Sequence, residues 1–254
     1  MSNQKHVLMI HGLLGSIDYF SPQRHLLDVV VHTPDLIGYG HQANATPHMS
    51  HTPIDLHLQA REIARYIDER VGKPVWLLGH SVGGAVAMLT AALVPQRIAE
   101  LISVEGNFTL NDAFWCTRIA ATPEQAWAEE YRVMSADPTG FLTRGAIEAT
   151  PRRLEWAKAI LGNQPYTTVQ SMARSVIKET GASTYLDLVR AQVGRGMPVY
   201  LLAGERSAAE WDVPTWMRAA AKRYVVMPAT GHMMMLENPA GFCRTVRAMM
   251  DGGA

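Results

Sequence analysis

The sequence predicts an α/β protein with a mostly parallel sheet of about six strands flanked by helices. Short apolar runs rich in Val, Ile and Leu alternate along the chain with longer stretches of helical pattern. These runs are continuous rather than alternating, which is typical of strands covered on both faces. Strands that alternate with helices form parallel sheets through crossover connections. The 254 residues are enough for one large domain with a substantial core.

Six apolar runs are predicted as strands. The first is stopped by His11-Gly12 and the second by Pro34-Asp35. The predicted strands are Val7–Ile10, Val29–Thr33, Val75–Leu78, Leu101–Val104, Val199–Ala203 and Tyr224–Met227.

Three helical patterns lie between or after these strands. Residues Asp55–Val71 repeat apolar side chains on one side, whereas Val82–Leu93 is rich in Ala, Met and Leu. The third pattern runs from about Pro239 to Met250, with proline in the first turn, where a helix tolerates it.

The interval from residue 107 to residue 195 is too long to be a single crossover helix. Loops of this length without structure are uncommon, so we expect an inserted helical cap at 107–195 and a core made of 1–106 and 196–254. The interval carries a set of large aromatic side chains that could form an apolar pocket or bind cap to core: Phe114, Trp115, Trp127, Phe141 and Trp156.

Charge and composition exclude several classes of protein. Lys plus Arg and Asp plus Glu are both 23, so the formal net charge is zero, and no basic excess indicates a nucleic acid or an anionic membrane as partner. No apolar run approaches the length of a membrane span, and the first apolar run is too short for a signal peptide. Cys116 and Cys243 form no CxxC motif, which favours reduced thiols in a cytoplasmic protein.

A nucleophile motif follows the third predicted strand. Residues 79–83 read Gly-His-Ser-Val-Gly, which is the G-x-S-x-G pattern between a strand and a helix. Glycines flank the serine because a sharp turn leaves no room for Cβ atoms on either side. The turn lifts the Ser81 hydroxyl from the sheet, and the helix N-terminus behind it stabilises negative charge.

Two further segments lie at the same edge of the predicted sheet. His11-Gly12-Leu13-Leu14-Gly15 follows the first strand, and its glycines allow a backbone N–H, that of Leu13, to approach a substrate oxygen. The N–H of Val82 would be the second donor of an oxyanion hole. His232 follows the last strand and faces the same edge, because the carboxyl ends of parallel strands gather on one side of a sheet.

Taken in order, HGLLGS, DLIGYGHQ, GHSVGG and GHMMMLENP resemble the α/β-hydrolase superfamily over most of the chain outside the cap. The resemblance implies Ser81 as nucleophile and His232 as general base, without a cofactor. LISVEG, LLAGERS and GHMMMLENPAG also look like the menaquinone-pathway synthases that eliminate pyruvate from a cyclohexene carboxylate. Family members usually open with a β-hairpin, so we expect this sheet to lack the first two strands.

The acidic partner of His232 departs from the family pattern. Relatives often carry an acid in a G-x-x-D segment after the fifth strand, but this chain has Ser207 at that place. Glu105 follows the fourth strand directly and is the predicted partner. The alternatives are Glu205, Glu210 and Asp212 in the loop after the fifth strand, or no acidic partner at all.

The sequence therefore predicts a cofactor-free serine hydrolase that cleaves an ester, thioester or lactone bond of an apolar small molecule. A lyase, a synthase or a C–C bond hydrolase with the same Ser–His pair is the alternative, and a binding protein without catalysis is a third. The HxxH of residues 48–51 weakly suggests a metal site, and Gly38-Tyr39-Gly40 weakly suggests a dinucleotide site. Neither has the sequence context that such sites need, and the oligomeric state stays open.

Overall fold

A computed structural model describes residues 4–43 and 54–252. It contains one six-stranded sheet in the order β2-β1-β3-β4-β5-β6, in which every neighbouring pair is parallel. The predicted fold class is therefore confirmed. The HxxH segment at 48–51 lies outside the described residues. The strands are β1 His6–Ile10, β2 Val30–His32, β3 Val75–His80, β4 Ile98–Val104, β5 Val199–Gly204 and β6 Arg223–Met227.

Both faces of the sheet are covered, which explains the continuous apolar runs. Every residue of β3 and β5 is buried, and alternate side chains enter two different apolar clusters. Leu8 and Leu77 belong to one cluster, whereas Met9 and Leu78 belong to the other. Burial of apolar side chains on both faces is the main force that holds these strands together.

Among the described residues outside the interval between β4 and β5, four helices cover the sheet, and one more helical turn lies between the last strand and the last helix. On one face, α1 (Leu56–Tyr66) begins at Asp55, whose carboxylate accepts a hydrogen bond of 2.7 Å from the Leu58 N–H. The predicted helix at 55–71 is shorter than expected, because its last residues form a π-helical turn. The remaining elements are α2 (Val82–Leu93), α9 (Thr215–Ala220), α10 (Met234–Glu237) and α11 (Pro239–Met250).

Six helices occupy the interval between β4 and β5. The last two of them contact the core helices: Ser175 accepts a hydrogen bond of 2.9 Å from the Leu56 N–H, and Gln192 donates one of 3.1 Å to the Met88 carbonyl. One apolar cluster also extends from the sheet through these last two helices. The six helices are α3 (Phe114–Ala121), α4 (Glu124–Ser135), α5 (Pro138–Arg144), α6 (Pro151–Leu161), α7 (Tyr166–Thr180) and α8 (Ser183–Gly194).

The two cysteines of the chain are buried in helices and form no disulfide. Cys116 lies in α3 and Cys243 in α11; both are buried and carry free thiols. Burial raises the pKa of each thiol to about 12, so neither is a thiolate at neutral pH.

Within residues 4–43 and 54–252, no helix combines the length and apolar character needed to cross a membrane.

Candidate active site

Ser81 lies in a strained turn between β3 and α2. Its backbone has φ 53° and ψ −125°, a conformation that L residues rarely adopt. The strand and the helix approach each other closely there: a Cβ atom on Gly79 would lie 2.3 Å from the Gly83 carbonyl oxygen, and one on Gly83 would lie 2.3 Å from the His11 carbonyl oxygen. Both glycines of the motif are therefore required by backbone contacts, and the turn exposes Ser81 to a cavity.

Glu105 directly follows β4, and its buried carboxylate accepts three hydrogen bonds. Oε1 accepts from the Gly204 N–H at 2.8 Å and from the Ser207 hydroxyl at 2.6 Å. Oε2 lies 2.6 Å from Nδ1 of His232. The backbone at Glu105 also has a positive φ of 42°, which turns the chain away from the strand direction. The structure thus brings Glu105 and His232 together, as the sequence predicts.

The environment of Glu105 favours the charged carboxylate. Burial alone would raise the pKa of this carboxyl, but the hydrogen bonds from His232, Ser207 and Gly204 and the charge of His232 outweigh it. The net effect is a pKa below the ordinary value. An ionised Glu105 fixes the proton of His232 on Nδ1, which leaves the lone pair of Nε2 available as a base.

The three alternative acids do not contact His232. Glu205 accepts a hydrogen bond of 2.8 Å from the Ala229 N–H in the loop after β6. Asp212 accepts from the Thr109 hydroxyl at 2.7 Å and from the Asn111 amide at 2.8 Å. Glu210 is exposed at the cavity wall.

The turn after β1 is held by a buried histidine. The Leu36 N–H lies 3.3 Å from Nε2 of His11, so the ring proton is on Nδ1, which donates a bond of 2.9 Å to the Gly12 carbonyl. Burial lowers the pKa of His11 to about 4, so the ring is neutral and this proton arrangement persists at neutral pH. The Gly12 carbonyl and the Leu13 N–H belong to one peptide plane, so His11 also orients that N–H.

Leu13 and Val82, the two predicted oxyanion donors, both line the cavity beside Ser81. The Val82 N–H is in the first turn of α2, where a helix N–H has no intrahelical acceptor. The Tyr39 hydroxyl donates a hydrogen bond of 3.0 Å to the Leu13 carbonyl, which fixes the next peptide of the turn.

Two contacts near His232 were not predicted from the sequence. His80, the first variable residue of the serine motif, donates through Nε2 to the His232 carbonyl at 2.9 Å, and the centroids of the two rings lie 4.6 Å apart. Burial lowers the pKa of His80 to about 3, so this ring is a neutral support for the loop. Ser207 donates to Glu105, and only its place in the G-x-x-D segment could have indicated this contact.

Replacing Ser207 by alanine should lower kcat several-fold and shift the acid limb of kcat/KM to higher pH. The hydroxyl is one of the groups that hold the pKa of Glu105 down, so without it the carboxylate forms less readily as pH falls. A pH–rate profile of native protein and the Ser207→Ala variant measures the shift. Superimposable profiles would mean that the Ser207 hydroxyl does not lower the pKa of Glu105. The control is Ser207→Thr, which keeps the hydroxyl.

A cavity of about 920 Å³ lies above Ser81, His232 and Glu105. Four of the five aromatic residues singled out in the sequence line it, whereas Trp156 packs against Tyr19 with ring centroids 5.8 Å apart. Of the three consecutive methionines after His232, Met233 lines the cavity, and Met234 and Met235 are buried in the core. The apolar lining residues are Leu13, Leu14, Val82, Phe114, Trp115, Trp127, Val133, Met134, Phe141, Ile147, Trp211 and Met233.

Both arginines of the cavity wall are paired with acidic side chains that also line it. Arg118 forms an ion pair of 2.6 Å with Glu130, and Arg144 lies 4.0 Å from Asp137. Within the described ranges, no three His, Cys, Asp or Glu side chains lie together as metal ligands would. Most of the exposed area of the cavity wall is apolar, and its two arginines already have acidic partners.

A model of the α/β-hydrolase family matches residues 7–245. The chain belongs to this family. Among solved structures, an esterase from Thermogutta terrifontis is similar with a TM-score of 0.70 at 23% identity, over 98% of this chain and 90% of that one. MenH from S. aureus is similar with a TM-score of 0.72 at 17% identity, over 99% of this chain and 95% of that one.

Two curated relatives named as lipases match shorter segments of this α/β-hydrolase. Lipase LipV of Mycobacterium tuberculosis is 36% identical over 112 residues, which is 43% of this chain and 40% of that lipase. Human monoglyceride lipase is 35% identical over 82 residues, which is 31% of this chain and 26% of that lipase. The chain thus matches less than half of the length of both lipases.

Proposed function

We propose that this protein is a serine hydrolase that cleaves a carboxylic ester-like bond (an ester, a thioester or a lactone) of an apolar small molecule through an acyl-enzyme. The observation that carries the proposal is the convergence of the strained Ser81 turn and the His232–Glu105 pair on one cavity. The relatives named as lipases and the structural neighbour named as an esterase support it. In this proposal, residues 107–195 are a cap over a core made of 1–106 and 196–254.

The first half of the reaction forms the acyl-enzyme. The Ser81 hydroxyl attacks the substrate carbonyl carbon while Nε2 of His232 takes the hydroxyl proton. The N–H groups of Leu13 and Val82 stabilise the negative charge on the carbonyl oxygen. The tetrahedral intermediate then collapses, the bond to the leaving group breaks, and His232 gives the proton to that group.

The second half releases the acid. Water gives a proton to Nε2 of His232 and attacks the acyl carbon, and collapse of this second intermediate returns the proton to Ser81. Glu105 stays ionised throughout and stabilises the protonated imidazole. The environment that lowers the pKa of Glu105 supports this role, because it keeps the carboxylate charged at neutral pH.

The alternative is a lyase, a synthase or a C–C bond hydrolase in which the Ser–His pair acts as a base. The local sequence similarity to pyruvate-eliminating synthases motivates it. An anionic substrate of that kind needs positive charges to bind its carboxylates, and both arginines of the described cavity wall are paired with acids. This favours a neutral ester over a polycarboxylate.

The test combines covalent labelling with burst kinetics. We expect a fluorophosphonate to modify Ser81, identified by mass spectrometry, and a p-nitrophenyl ester to give a burst equal to the enzyme concentration when deacylation is slow. Labelling without hydrolysis of any ester or thioester in a substrate panel would favour the alternative. The absence of both labelling and turnover would favour a binding protein.

The cavity predicts a preference for longer acyl chains. We expect kcat/KM to rise from acetate to octanoate esters, at up to about 0.8 kcal/mol per buried methylene, because the wall is mostly apolar. A series of p-nitrophenyl esters of one alcohol measures the trend. An ω-carboxylate ester of the same length is the control and should be hydrolysed more slowly. A flat profile, or faster cleavage of the charged ester, would contradict the prediction.

A further inference from the structure

The turn at residues 12–15 is bound by two consecutive residues of the interval 107–195. The Gly15 N–H donates a hydrogen bond of 2.8 Å to Oε1 of Gln164, and the Gly15 carbonyl accepts one of 2.9 Å from the Asn163 amide. The Asn163 carbonyl accepts a bond of 2.6 Å from the Gly40 N–H in the loop after β2. The segment that joins α6 to α7 therefore holds this turn and a neighbouring loop at once.

The packing at Gly15 leaves this arrangement little freedom. Gly15 has a φ of +88°, and a Cβ atom there would lie 2.8 Å from Cγ2 of Ile160 in α6. The turn thus lies directly against a helix of the interval. Gln164 is itself buried, so its hydrogen bond to Gly15 is shielded from competing solvent.

Gln164 also connects this turn to the cavity wall. Its Nε2 group donates a hydrogen bond of 2.6 Å to the Tyr131 hydroxyl, and that hydroxyl lies 2.9 Å from the Leu161 carbonyl, to which it can donate. Tyr131 belongs to α4, which contributes Trp127 and Met134 to the cavity. One side chain therefore joins the substrate-facing helix α4 to the turn that carries the Leu13 N–H.

We propose that Gln164 is a positioning residue that holds the 12–15 turn so that the Leu13 N–H faces the oxyanion. The inference rests on the proposed function. The core residues His11 and Tyr39 hold the Gly12 and Leu13 carbonyls, and Gln164 holds the other end of the turn. Stabilisation of an oxyanion depends steeply on donor position, because the donor must lie at hydrogen-bonding distance from the developing charge.

The test separates positioning from packing with two variants. Gln164→Met keeps the volume but removes the acceptor for the Gly15 N–H. Gln164→Glu keeps an acceptor and, when its buried carboxyl is protonated, also a donor. We expect Gln164→Met to lower kcat by about tenfold or more with a smaller change in KM, and Gln164→Glu to retain more of the native kcat than Gln164→Met.

A boronic acid that forms a tetrahedral adduct with Ser81 gives a second measurement. Its affinity should fall in parallel with kcat in Gln164→Met, because the adduct oxygen uses the Leu13 N–H. Gln170→Ala is the matched control, since Gln170 is another buried glutamine of the interval whose amide donates to Ile119 and Thr122 and does not contact the 12–15 turn. It should change melting temperature without lowering kcat.

Two results would overturn the positioning role. One is a native kcat and native boronate affinity in Gln164→Met; the other is an equal loss of kcat in Gln170→Ala, which would mean general destabilisation. Both are distinct from failure of the proposed function, in which the unsubstituted protein neither labels at Ser81 nor hydrolyses an ester.

Discussion

Replacing Ser81 by alanine is expected to lower kcat by at least about 10³-fold while the fold is retained. The change removes the attacking hydroxyl and leaves the Cβ atom, so the backbone at φ 53° keeps its strain and its hydrogen bonds with Val104 and Gly84. Circular dichroism and thermal unfolding measure the fold, and hydrolysis of the best p-nitrophenyl ester measures activity. The variant should also lose all labelling by a fluorophosphonate.

Ser81→Gly is the matched control for strain. Glycine adopts a positive φ without steric cost, so this variant should be inactive and at least as stable as Ser81→Ala. Strain at such positions is of order 1–3 kcal/mol, and loss of activity with unchanged or higher stability is typical of a functional strained residue. The covalent mechanism is wrong if Ser81→Ala retains more than about a tenth of native kcat on every substrate tested. Such a loss would correspond to a change in the activation barrier of less than ~1.4 kcal/mol.

The strands of the sheet can be predicted from the sequence because the patterns that indicate a strand lie within a few consecutive residues. Continuous apolar runs followed by turn residues gave all six strands to within a few residues, and the alternation with helices gave their parallel arrangement. The shortened helix α1 is the exception, because the π-helical turn at Ile67–Val71 differs from an α-helix only in which carbonyl each N–H reaches. Apolar periodicity does not encode that difference.

The contacts that support the candidate site depend on residues far apart in the chain. The hydrogen bond between Ser207 and Glu105 joins two loops after neighbouring strands, β4 and β5, and so requires the registered sheet. Gln164 reaches Gly15 from a segment whose placement depends on the packing of α4 and α6. Such polar residues show no pattern in the sequence, whereas Ser81 lies between two glycines that its turn requires and His232 directly follows Gly231.

Replacing Glu105 by glutamine is expected to lower kcat several hundred-fold at neutral pH. In the native protein, Oε1 accepts from two donors, the Gly204 N–H and the Ser207 hydroxyl. A glutamine at position 105 must keep its oxygen there, so its NH2 group faces Nδ1 of His232. Two donors cannot share a hydrogen bond, and the imidazole proton moves to Nε2. That tautomer cannot accept the Ser81 proton, so a loss of about 10²–10⁴ is expected.

The control is Glu205→Gln, which keeps an oxygen for the Ala229 N–H and is expected to change kcat by less than about twofold. Both variants remove one negative charge from the same edge of the sheet, so a difference between them cannot arise from net charge alone. A several hundred-fold loss confined to Glu205→Gln would make Glu205 the partner of His232 and overturn the assignment of Glu105. Equal mild losses in both variants would mean that Ser81 and His232 work without a catalytic acid. The hydrogen bond of 2.6 Å between His232 and Glu105 would then have only a structural role.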